Sequence, residues 1–169
     1  EQYTRDKIMS ERFLREAKAA AEIGHPNIVE VVDAGVDEAV GVYVAFDFLE
    51  GMDLADAYRR KLLSIRQILD VGDGVLDALA AAHQAGIIHR DIKPPNTFLL
   101  PGEHGSFSVR VLDFGAAKRQ KVSVEESLTT FGTVIGTPAY MSPEQASGQS
   151  VDPRTDIWSV GAVLFRGLA

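Results

Sequence analysis

Two short segments of the chain carry side chains of the types that phosphoryl transfer requires. His89–Asn96 reads HRDIKPPN, and a DFG segment that begins at Asp113 follows further along the chain. Asn96 and Asp113 offer oxygen ligands of the kind that Mg²⁺ prefers, and Lys93 offers a point charge for a phosphoryl group. Asp91 can accept a proton from an incoming hydroxyl group. The residue types therefore indicate metal-assisted transfer of a phosphoryl group to a hydroxyl.

These segments resemble the catalytic loop and the metal-binding loop of the protein kinase family, H-R-D-L-x-x-x-N and D-F-G. Other segments follow in the family's order: RFLREAKAAAEIGHPNIVEVVDAG (12–35) is similar to helix C and the strand after it, GTPAYMSPE (136–144) to the end of the activation segment, and DIWSVG (156–161) to the start of helix F. Several segments in one order are far more specific than a single motif. Their wording is typical of bacterial Ser/Thr kinases of the eukaryotic (Hanks) type.

The resemblance implies an ATP-dependent protein serine/threonine kinase. Asp91 would then be the catalytic base, Lys93 would contact the γ-phosphate, and Asn96 and Asp113 would hold Mg²⁺. Lys93 also favours Ser/Thr over Tyr substrates, because tyrosine kinases place other residues there. His89 is expected to pack and to form hydrogen bonds rather than to act as the base.

Two residues outside the loop are given structural roles. Asp156, at the start of the segment similar to helix F, is expected to bind backbone groups near the HRD residues. His83 is expected to be a helix surface residue.

The resemblance also implies nucleotide-binding residues outside the catalytic loop. Glu16, on the segment similar to helix C, would pair with the family's ATP-anchoring lysine. The segment from Asp47 to Leu49 would form the hinge between the lobes, where backbone groups bind adenine. Phe46 falls at the gatekeeper position before the hinge.

Arg90 precedes the catalytic aspartate, an arrangement that marks kinases whose activation loop is ordered by phosphorylation. A phosphothreonine carries about −1.5 to −2 charge and can pair with such an arginine. Spacing before GTPAY favours Thr129 and Thr130 as the modified residues. The alternative is an ordinary polar loop, since Ser and Thr are common in loops.

The sequence contains neither the glycine-rich loop nor the V-A-I-K lysine of the family, and Lys7 lies in a polar stretch without a strand pattern. We therefore expect part of one α+β, two-lobed kinase domain, cut at both ends. Residues 1–49 would be an N-lobe remnant with helix C and two strands that end in the hinge. Residues 50–169 would be a partial C-lobe with the catalytic loop, activation segment and helix F. This segment alone is expected to be inactive and to aggregate.

Two other functions remain open at this point. A non-catalytic pseudokinase or interaction module would fit if the whole protein also lacked the ATP-anchoring lysine, although Asp91, Asn96 and Asp113 argue against it. A small-molecule phosphotransferase could keep a related catalytic loop, but DFG together with GTPAYMSPE favours a protein substrate. The residues upstream of Glu1 would discriminate between these functions.

Hydrophobic patterns and turn residues predict the elements that position these loops. Ser10–Ile23 has helical spacing, and a second helix begins at a capping box formed by Ser64 and Gln67. Its apolar face is predicted to contain Ile65, Ile68, Val75, Leu79 and Ala82. Strands are predicted over Asn27–Val32 and Val40–Leu49, joined by the turn DAGVDEAVG. Thr97–Leu100 and Ser108–Leu112 are predicted to form a hairpin around PGEHGS.

Composition limits the remaining classes of function. The formal net charge is −7 and no basic cluster stands out, which argues against a nucleic-acid partner. The chain has no cysteine, which fits a reducing compartment. The apolar run Ile157–Ala169 is too short to span a membrane and is predicted to be a buried helix. We expect a cytoplasmic catalytic domain. The resemblance is compatible with a parent protein that is anchored in a membrane and that dimerises for autophosphorylation.

Overall fold

The computed structural model describes residues 21–37, 39–114 and 138–169. Helices and strands are mixed along these residues, which confirms the α+β class. The strands are β1 (Val31–Asp37), β2 (Gly41–Phe46), β3 (Met52–Asp53), β4 (Thr97–Pro101) and β5 (Phe107–Val111). The α-helices are α1 (Leu54–Arg59), α2 (Ile65–Gln84), α3 (Pro143–Ala146) and α4 (Arg154–Leu168). Short 3₁₀ helices lie at Pro94–Asn96, Glu103–Gly105 and Pro138–Tyr140. Most of the helix predicted over Ser10–Ile23 lies outside the described residues.

Strands β1 and β2 form an antiparallel two-stranded sheet. The first strand was predicted over Asn27–Val32, but β1 runs from Val31 to Asp37. The predicted turn DAGVDEAVG is mostly strand, because residues 33–37 pair with residues 41–45. The Asp33 carboxylate accepts a hydrogen bond from the Tyr43 hydroxyl across the strands at 2.7 Å. The turn itself is short, and the Asp37 carboxylate accepts hydrogen bonds from the backbone N–H groups of Ala39 and Val40. Strand β2 ends at Phe46, three residues earlier than predicted.

The hairpin that leads into the DFG segment was predicted correctly. Strands β4 and β5 pair antiparallel from Thr97 with Val111 to Pro101 with Phe107, and β3 pairs with the other edge of β4. A parallel bridge joins Ile28 to Val111, so this sheet also holds the segment before β1. The hairpin therefore places the residues after Val111 beside the residues before Thr97.

Helix α2 begins at the predicted capping box and packs against both α4 and β5. The predicted apolar face is confirmed apart from Ile65, which lies in the first turn and is 69% exposed. Gly72 and Gly74 lie inside α2, where a glycine costs about 1 kcal/mol relative to alanine. An added Cβ on Gly72 would lie 3.0 Å from the Leu164 side chain, and one on Gly74 would lie 3.1 Å from the Val109 side chain. Both glycines therefore allow close approach of neighbouring elements.

Helix α4 is only half-buried, which corrects the prediction of a buried helix. One face packs into the core through Val160 and Val163. The other face is apolar but exposed, since Trp158 is 53% exposed and Phe165 is 74% exposed. None of the helices in the described part of the chain is long and apolar enough to cross a membrane.

One hydrophobic core joins the helices to the three-stranded sheet. It packs side chains of α1, α2 and α4 against β4 and β5, and it includes Ile92 of the HRDIKPPN loop and Phe114 of the DFG segment. Both candidate catalytic segments are therefore anchored by a buried apolar residue next to a candidate site aspartate. Burying such a side chain contributes about 1.5–3 kcal/mol, which holds the neighbouring backbone in place.

Candidate active site

The HRDIKPPN loop brings three of the predicted functional side chains into direct contact. The Lys93 Nζ lies 2.8 Å from the Asp91 Oδ2. The amide Nδ2 of Asn96 donates to the backbone oxygen of Asp91 at 3.0 Å and to its Oδ2 at 3.2 Å. A 3₁₀ turn over Pro94–Asn96 brings Asn96 back towards Asp91, and prolines at its start fix the backbone of that turn. The side chains of Lys93 and Asn96 therefore both contact the Asp91 carboxylate.

His89 is a structural residue, as predicted. Its ring is buried, and its Nε2 lies 2.8 Å from the carbonyl oxygen of Leu112 while its Nδ1 accepts a hydrogen bond from the Asp91 N–H at 3.2 Å. Burial lowers the pKa of His89, although the hydrogen bond to Leu112 and nearby carboxylates oppose that shift. A neutral ring protonated on Nε2 satisfies both contacts at once. Both nitrogens are thus engaged with the backbone, and neither is available as a general base.

Asp156 supports the same loop from the first turn of α4, and this role is also as predicted. Its fully buried carboxylate accepts hydrogen bonds from the backbone N–H groups of His89 at 2.9 Å and of Arg90 at 2.7 Å. His83 was predicted to be a helix surface residue, and this prediction was wrong. The His83 Nε2 lies 2.7 Å from the Asp156 Oδ2, because the last turn of α2 packs beside α4. Its position in the last turn of α2, six residues before His89, was the signal that sequence analysis missed.

The predicted metal ligands Asn96 and Asp113 belong to segments that are joined by the backbone. The N–H of Leu112 donates to the Asn96 carbonyl oxygen at 2.9 Å. This hydrogen bond joins the two segments one residue before Asp113. Asp113 has a φ of 59°, a left-handed conformation that aspartate adopts more readily than most residues. The Phe114 side chain is buried in the core and packs edge-on against the His89 ring, with 4.7 Å between the two ring centroids. The Asp113 side chain itself is exposed.

The residue types of Asn96 and Asp113, an amide and a carboxylate, suit Mg²⁺ better than a transition metal. The amide nitrogen of Asn96 is used by Asp91, which leaves the amide oxygen to face a cation. Among the described residues, no group of three or more His, Cys, Asp or Glu side chains could hold a metal ion. Two oxygen ligands from protein are typical of Mg²⁺, which keeps several waters and binds substrate phosphates.

A cavity of about 300 Å³ lies between the predicted hinge and Asp113. Its lining is mostly apolar and consists of Val29, Phe46, Asp47, Phe48, Leu49, Phe98, Leu112 and Asp113. The predicted hinge residues Asp47 and Leu49 therefore share one cavity with a predicted metal ligand. The N–H of Asp47 already donates to the Glu30 carbonyl at 2.9 Å, so of its backbone groups only the carbonyl oxygen can bind a ligand. A flat apolar ring with polar edges would fit such a cavity.

Arg90 adopts an unusual backbone conformation between two supports. Its φ of 68° is left-handed, which is rare for a residue with a long side chain. Its N–H is held by Asp156, and its carbonyl oxygen accepts a hydrogen bond from the Gln145 Nε2 at 2.7 Å. The Nε of its guanidinium is buried and has no hydrogen-bond partner among the described residues. An anion that reached this side chain would find an unsatisfied donor.

The SPE segment, residues 142–144, forms the start of α3. Ser142 caps α3 in a capping box with Gln145, which sequence analysis did not predict. Glu144 accepts a hydrogen bond from the Thr155 hydroxyl at 2.6 Å, and this bond lowers the pKa of Glu144. These contacts tie α3 to the first turn of α4 close to Asp156.

Three of the predicted site residues lie outside the described residues. They are Glu16, which was expected to pair with the ATP-anchoring lysine, and the candidate phosphorylation sites Thr129 and Thr130. Gly115 of the DFG segment and Thr137 of GTPAY also lie outside. The roles assigned to these residues remain predictions.

Comparisons with known proteins agree with this arrangement. The family model described as "Protein kinase domain" matches residues 1–169. Serine/threonine-protein kinase pkn3 of Myxococcus xanthus is 42% identical over 157 residues, which cover 92% of this chain and 29% of that protein. Serine/threonine-protein kinase PknJ of Mycobacterium tuberculosis is 40% identical over 163 residues, covering 96% of this chain and 27% of that protein.

A probable serine/threonine-protein kinase of Streptomyces coelicolor, SCO3848, is also similar. It is 42% identical over 166 residues, which cover 95% of this chain and 24% of that protein. The chain thus spans less than a third of the length of each of these curated relatives. The similarity concerns one part of longer proteins.

Proposed function

This chain belongs to the protein kinase domain family, and on that premise we propose that the protein containing it transfers the γ-phosphoryl group of Mg·ATP to Ser or Thr hydroxyls of proteins. The observation that carries the proposal is the contact of Lys93 and Asn96 with the Asp91 carboxylate. The proposed base (Asp91), phosphate-binding cation (Lys93) and metal ligand (Asn96) lie within one loop. The three relatives described above are named as serine/threonine-protein kinases, one of them as a probable one, which supports the same activity.

In the proposed mechanism, Asp91 accepts the proton of the substrate hydroxyl as its oxygen bonds to the γ-phosphorus and the bond to ADP breaks. Lys93 moves from Asp91 to the transferring phosphoryl group, where its charge stabilises the transition state. Asn96 and Asp113 would hold Mg²⁺, which neutralises charge on the phosphates when bound. Positioning and electrostatics thus supply most of the rate enhancement.

The cavity beside the hinge is the proposed adenine site. Its apolar lining would bury the adenine ring, while the Asp47 carbonyl and the Leu49 N–H would bind the polar edge of that ring. Phe46 lines the same cavity at the proposed gatekeeper position and would limit its depth. Glu16 would pair with an ATP-anchoring lysine of the whole protein, as the family pattern implies.

We assign residues 1–49 to the N-lobe and residues 50–169 to the C-lobe of a longer kinase domain. The greater length of the relatives supports this assignment. Neither a glycine-rich loop nor a V-A-I-K lysine occurs in these residues, so residues 1–169 alone should transfer little phosphate. The exposed side chains of Trp158 and Phe165 favour aggregation of this segment by itself.

We further propose that phosphorylation of Thr129 or Thr130 activates the enzyme through Arg90. The Arg90 Nε supports the proposal, since it is buried and has no hydrogen-bond partner in the part of the chain that the structure describes. A phosphate would satisfy this donor and add charge pairing. Such modification could occur between two copies of the kinase. In the whole protein, replacing both threonines by Ala should lower turnover, and unchanged turnover of an unmodified loop would contradict this step.

The proposal is tested by incubating the whole protein with Mg·ATP labelled on the γ-phosphate and with matched peptide libraries that contain Ser/Thr or Tyr. We expect label on the Ser/Thr peptides, its loss when Mg²⁺ is chelated, and a large reduction in the Asp113→Asn variant. Label on neither library, with ATP still bound, would instead favour the pseudokinase. Fractionating cells would test the cytoplasmic location that we propose for this segment.

A further inference from the structure

We propose that Gln145 is a positioning residue that fixes the orientation of Asp91 through the backbone. The Gln145 Nε2 donates a hydrogen bond to the Arg90 carbonyl oxygen at 2.7 Å. That carbonyl belongs to the peptide bond between Arg90 and Asp91, so Gln145 contacts the peptide group from which the proposed base extends. This inference rests on the proposed function for its effect on catalysis.

The peptide group between Arg90 and Asp91 needs support from outside the loop. Arg90 has a φ of 68°, which a side-chain-bearing residue rarely adopts without neighbouring contacts that hold it. The Asp91 N–H of this peptide donates to the His89 Nδ1 at 3.2 Å. Its carbonyl oxygen accepts the bond from Gln145. Both polar groups of the peptide are therefore bound, one within the loop and one by α3.

The preceding peptide groups are fixed independently of Gln145. The buried Asp156 carboxylate binds the N–H groups of His89 and Arg90 at 2.9 Å and 2.7 Å. Asp156 therefore holds the loop up to the nitrogen of Arg90, and Gln145 holds the carbonyl that follows. Without the bond from Gln145, this peptide group would be held only by the bond from the Asp91 N–H to the His89 Nδ1, and it should become more mobile while the rest of the loop stays anchored.

Gln145 is itself held in one orientation by the cap of α3. Its Oε1 accepts a hydrogen bond from the Ser142 N–H at 3.2 Å, and its own N–H donates to the Ser142 Oγ at 3.3 Å. The side-chain oxygen therefore completes the capping box while the side-chain nitrogen binds the catalytic loop. Of the residues that favour this position of a capping box, Glu can complete the cap but only Gln can also donate to Arg90.

This division of roles allows matched variants. Gln145→Glu keeps an oxygen for the Ser142 N–H and loses the donor to Arg90. Gln145→Met keeps the length without charge and loses both bonds. Ser142→Ala removes the Oγ of the cap but leaves the Gln145 donor in place.

In the whole protein, Gln145→Glu and Gln145→Met should both lower kcat by roughly 10- to 100-fold, since small displacements of a catalytic group have effects of this size. The KM for ATP should stay within about twofold in both variants, because neither touches the hinge cavity. Ser142→Ala should lower the melting temperature but retain most of kcat. Equal losses of kcat in Ser142→Ala and Gln145→Glu would assign the effect to the cap and overturn the inference.

Amide hydrogen exchange provides a readout that does not need activity. Gln145→Glu should speed exchange at Asp91 and leave the β4–β5 hairpin unchanged, whereas Ser142→Ala should speed exchange only in α3. Unchanged exchange at Asp91 together with unchanged kcat in Gln145→Glu would overturn the inference. If the wild-type protein transfers no phosphate, the proposed function fails, and the exchange rates alone then decide whether Gln145 holds the loop.

Discussion

The Nζ of Lys93 lies 2.8 Å from the Oδ2 of Asp91, and both side chains are about three-quarters buried, with 23% and 24% of their surfaces exposed. The proposed base is thus paired with the cation that would bind the transferring phosphoryl group. Partial burial strengthens this ion pair relative to one on an open surface. When ATP binds, Lys93 would leave Asp91 and pair with the γ-phosphate, since the γ-phosphate carries more negative charge than the carboxylate.

Lys93→Met should lower kcat about 100-fold in the whole protein, because it removes one charged donor to the transition state. The KM for ATP should change much less, since Lys93 does not line the hinge cavity. Steady-state kinetics with a Ser/Thr peptide measures both constants. Lys61→Met is the control, as Lys61 is exposed at the end of α1 and should leave kcat unchanged. Full activity of Lys93→Met would contradict the assigned role.

Asp156→Ala should destabilise the fold by about 3–5 kcal/mol, since it removes a buried carboxylate that accepts several hydrogen bonds. It would leave the N–H groups of His89 and Arg90 without their acceptor. Urea unfolding, followed by circular dichroism, measures the change. Asp152→Ala is the matched control, because that carboxylate is exposed and binds only the side chain and the N–H of Arg154 among the described residues, so its loss should matter far less than that of Asp156. Similar unfolding midpoints for both variants would contradict the role of Asp156.

The buried His89 ring should make stability depend on pH. Because its pKa in the folded state is lowered from the ordinary 6.5, the unfolded chain binds the proton more readily. Stability should therefore be lost as the pH falls below about 6.5, with a slope of at most about 1.4 kcal/mol per pH unit. Unfolding measured between pH 7.5 and about 5.5 should show this slope, and His89→Gln should reduce it. An equal slope in both proteins would show that His89 does not cause it.

Gly51→Ala should destabilise the protein by about 1–3 kcal/mol through overpacking. A Cβ on Gly51 would lie 2.1 Å from the Leu99 carbonyl oxygen, where β3 meets β4. Gly161→Ala is the control in α4, because its Cβ would have no neighbour within 4 Å. That change should stabilise the helix by about 1 kcal/mol. Thermal unfolding distinguishes the two, and equal shifts of the melting temperature would contradict the packing argument.

The catalytic loop could be predicted from sequence because its residues lie side by side in the chain. Asp91, Lys93 and Asn96 need only one short turn to meet, and prolines fix that turn. The support of the loop by Asp156 could be predicted only because a second motif marked its position. Local spacing together with motif order was therefore sufficient for the centre of the site.

Contacts between distant elements could not be predicted in this way. His83 and Asp156 are 73 residues apart, and only the packing of α2 against α4 brings them together. Gln145 and Arg90 are 55 residues apart, and nothing local marks their contact. Each depends on the path of the whole chain through the core.

The error in β1 has a different physical cause. Asp33 and the residues after it have turn composition, which favoured a loop. In the fold, pairing with β2 and the hydrogen bond from Tyr43 to Asp33 outweigh that local preference. Cross-strand contacts commonly override strand propensity in this way.

The most direct test of the proposed activity compares Asp91→Asn with the wild-type protein. The substitution keeps the shape of the side chain and removes the group that would accept the proton. We expect ATP binding and the melting temperature to change little, while phosphoryl transfer to a Ser/Thr peptide falls by roughly 10²–10⁴-fold. Transfer by Asp91→Asn at the wild-type rate would contradict the assignment of Asp91 as the catalytic base.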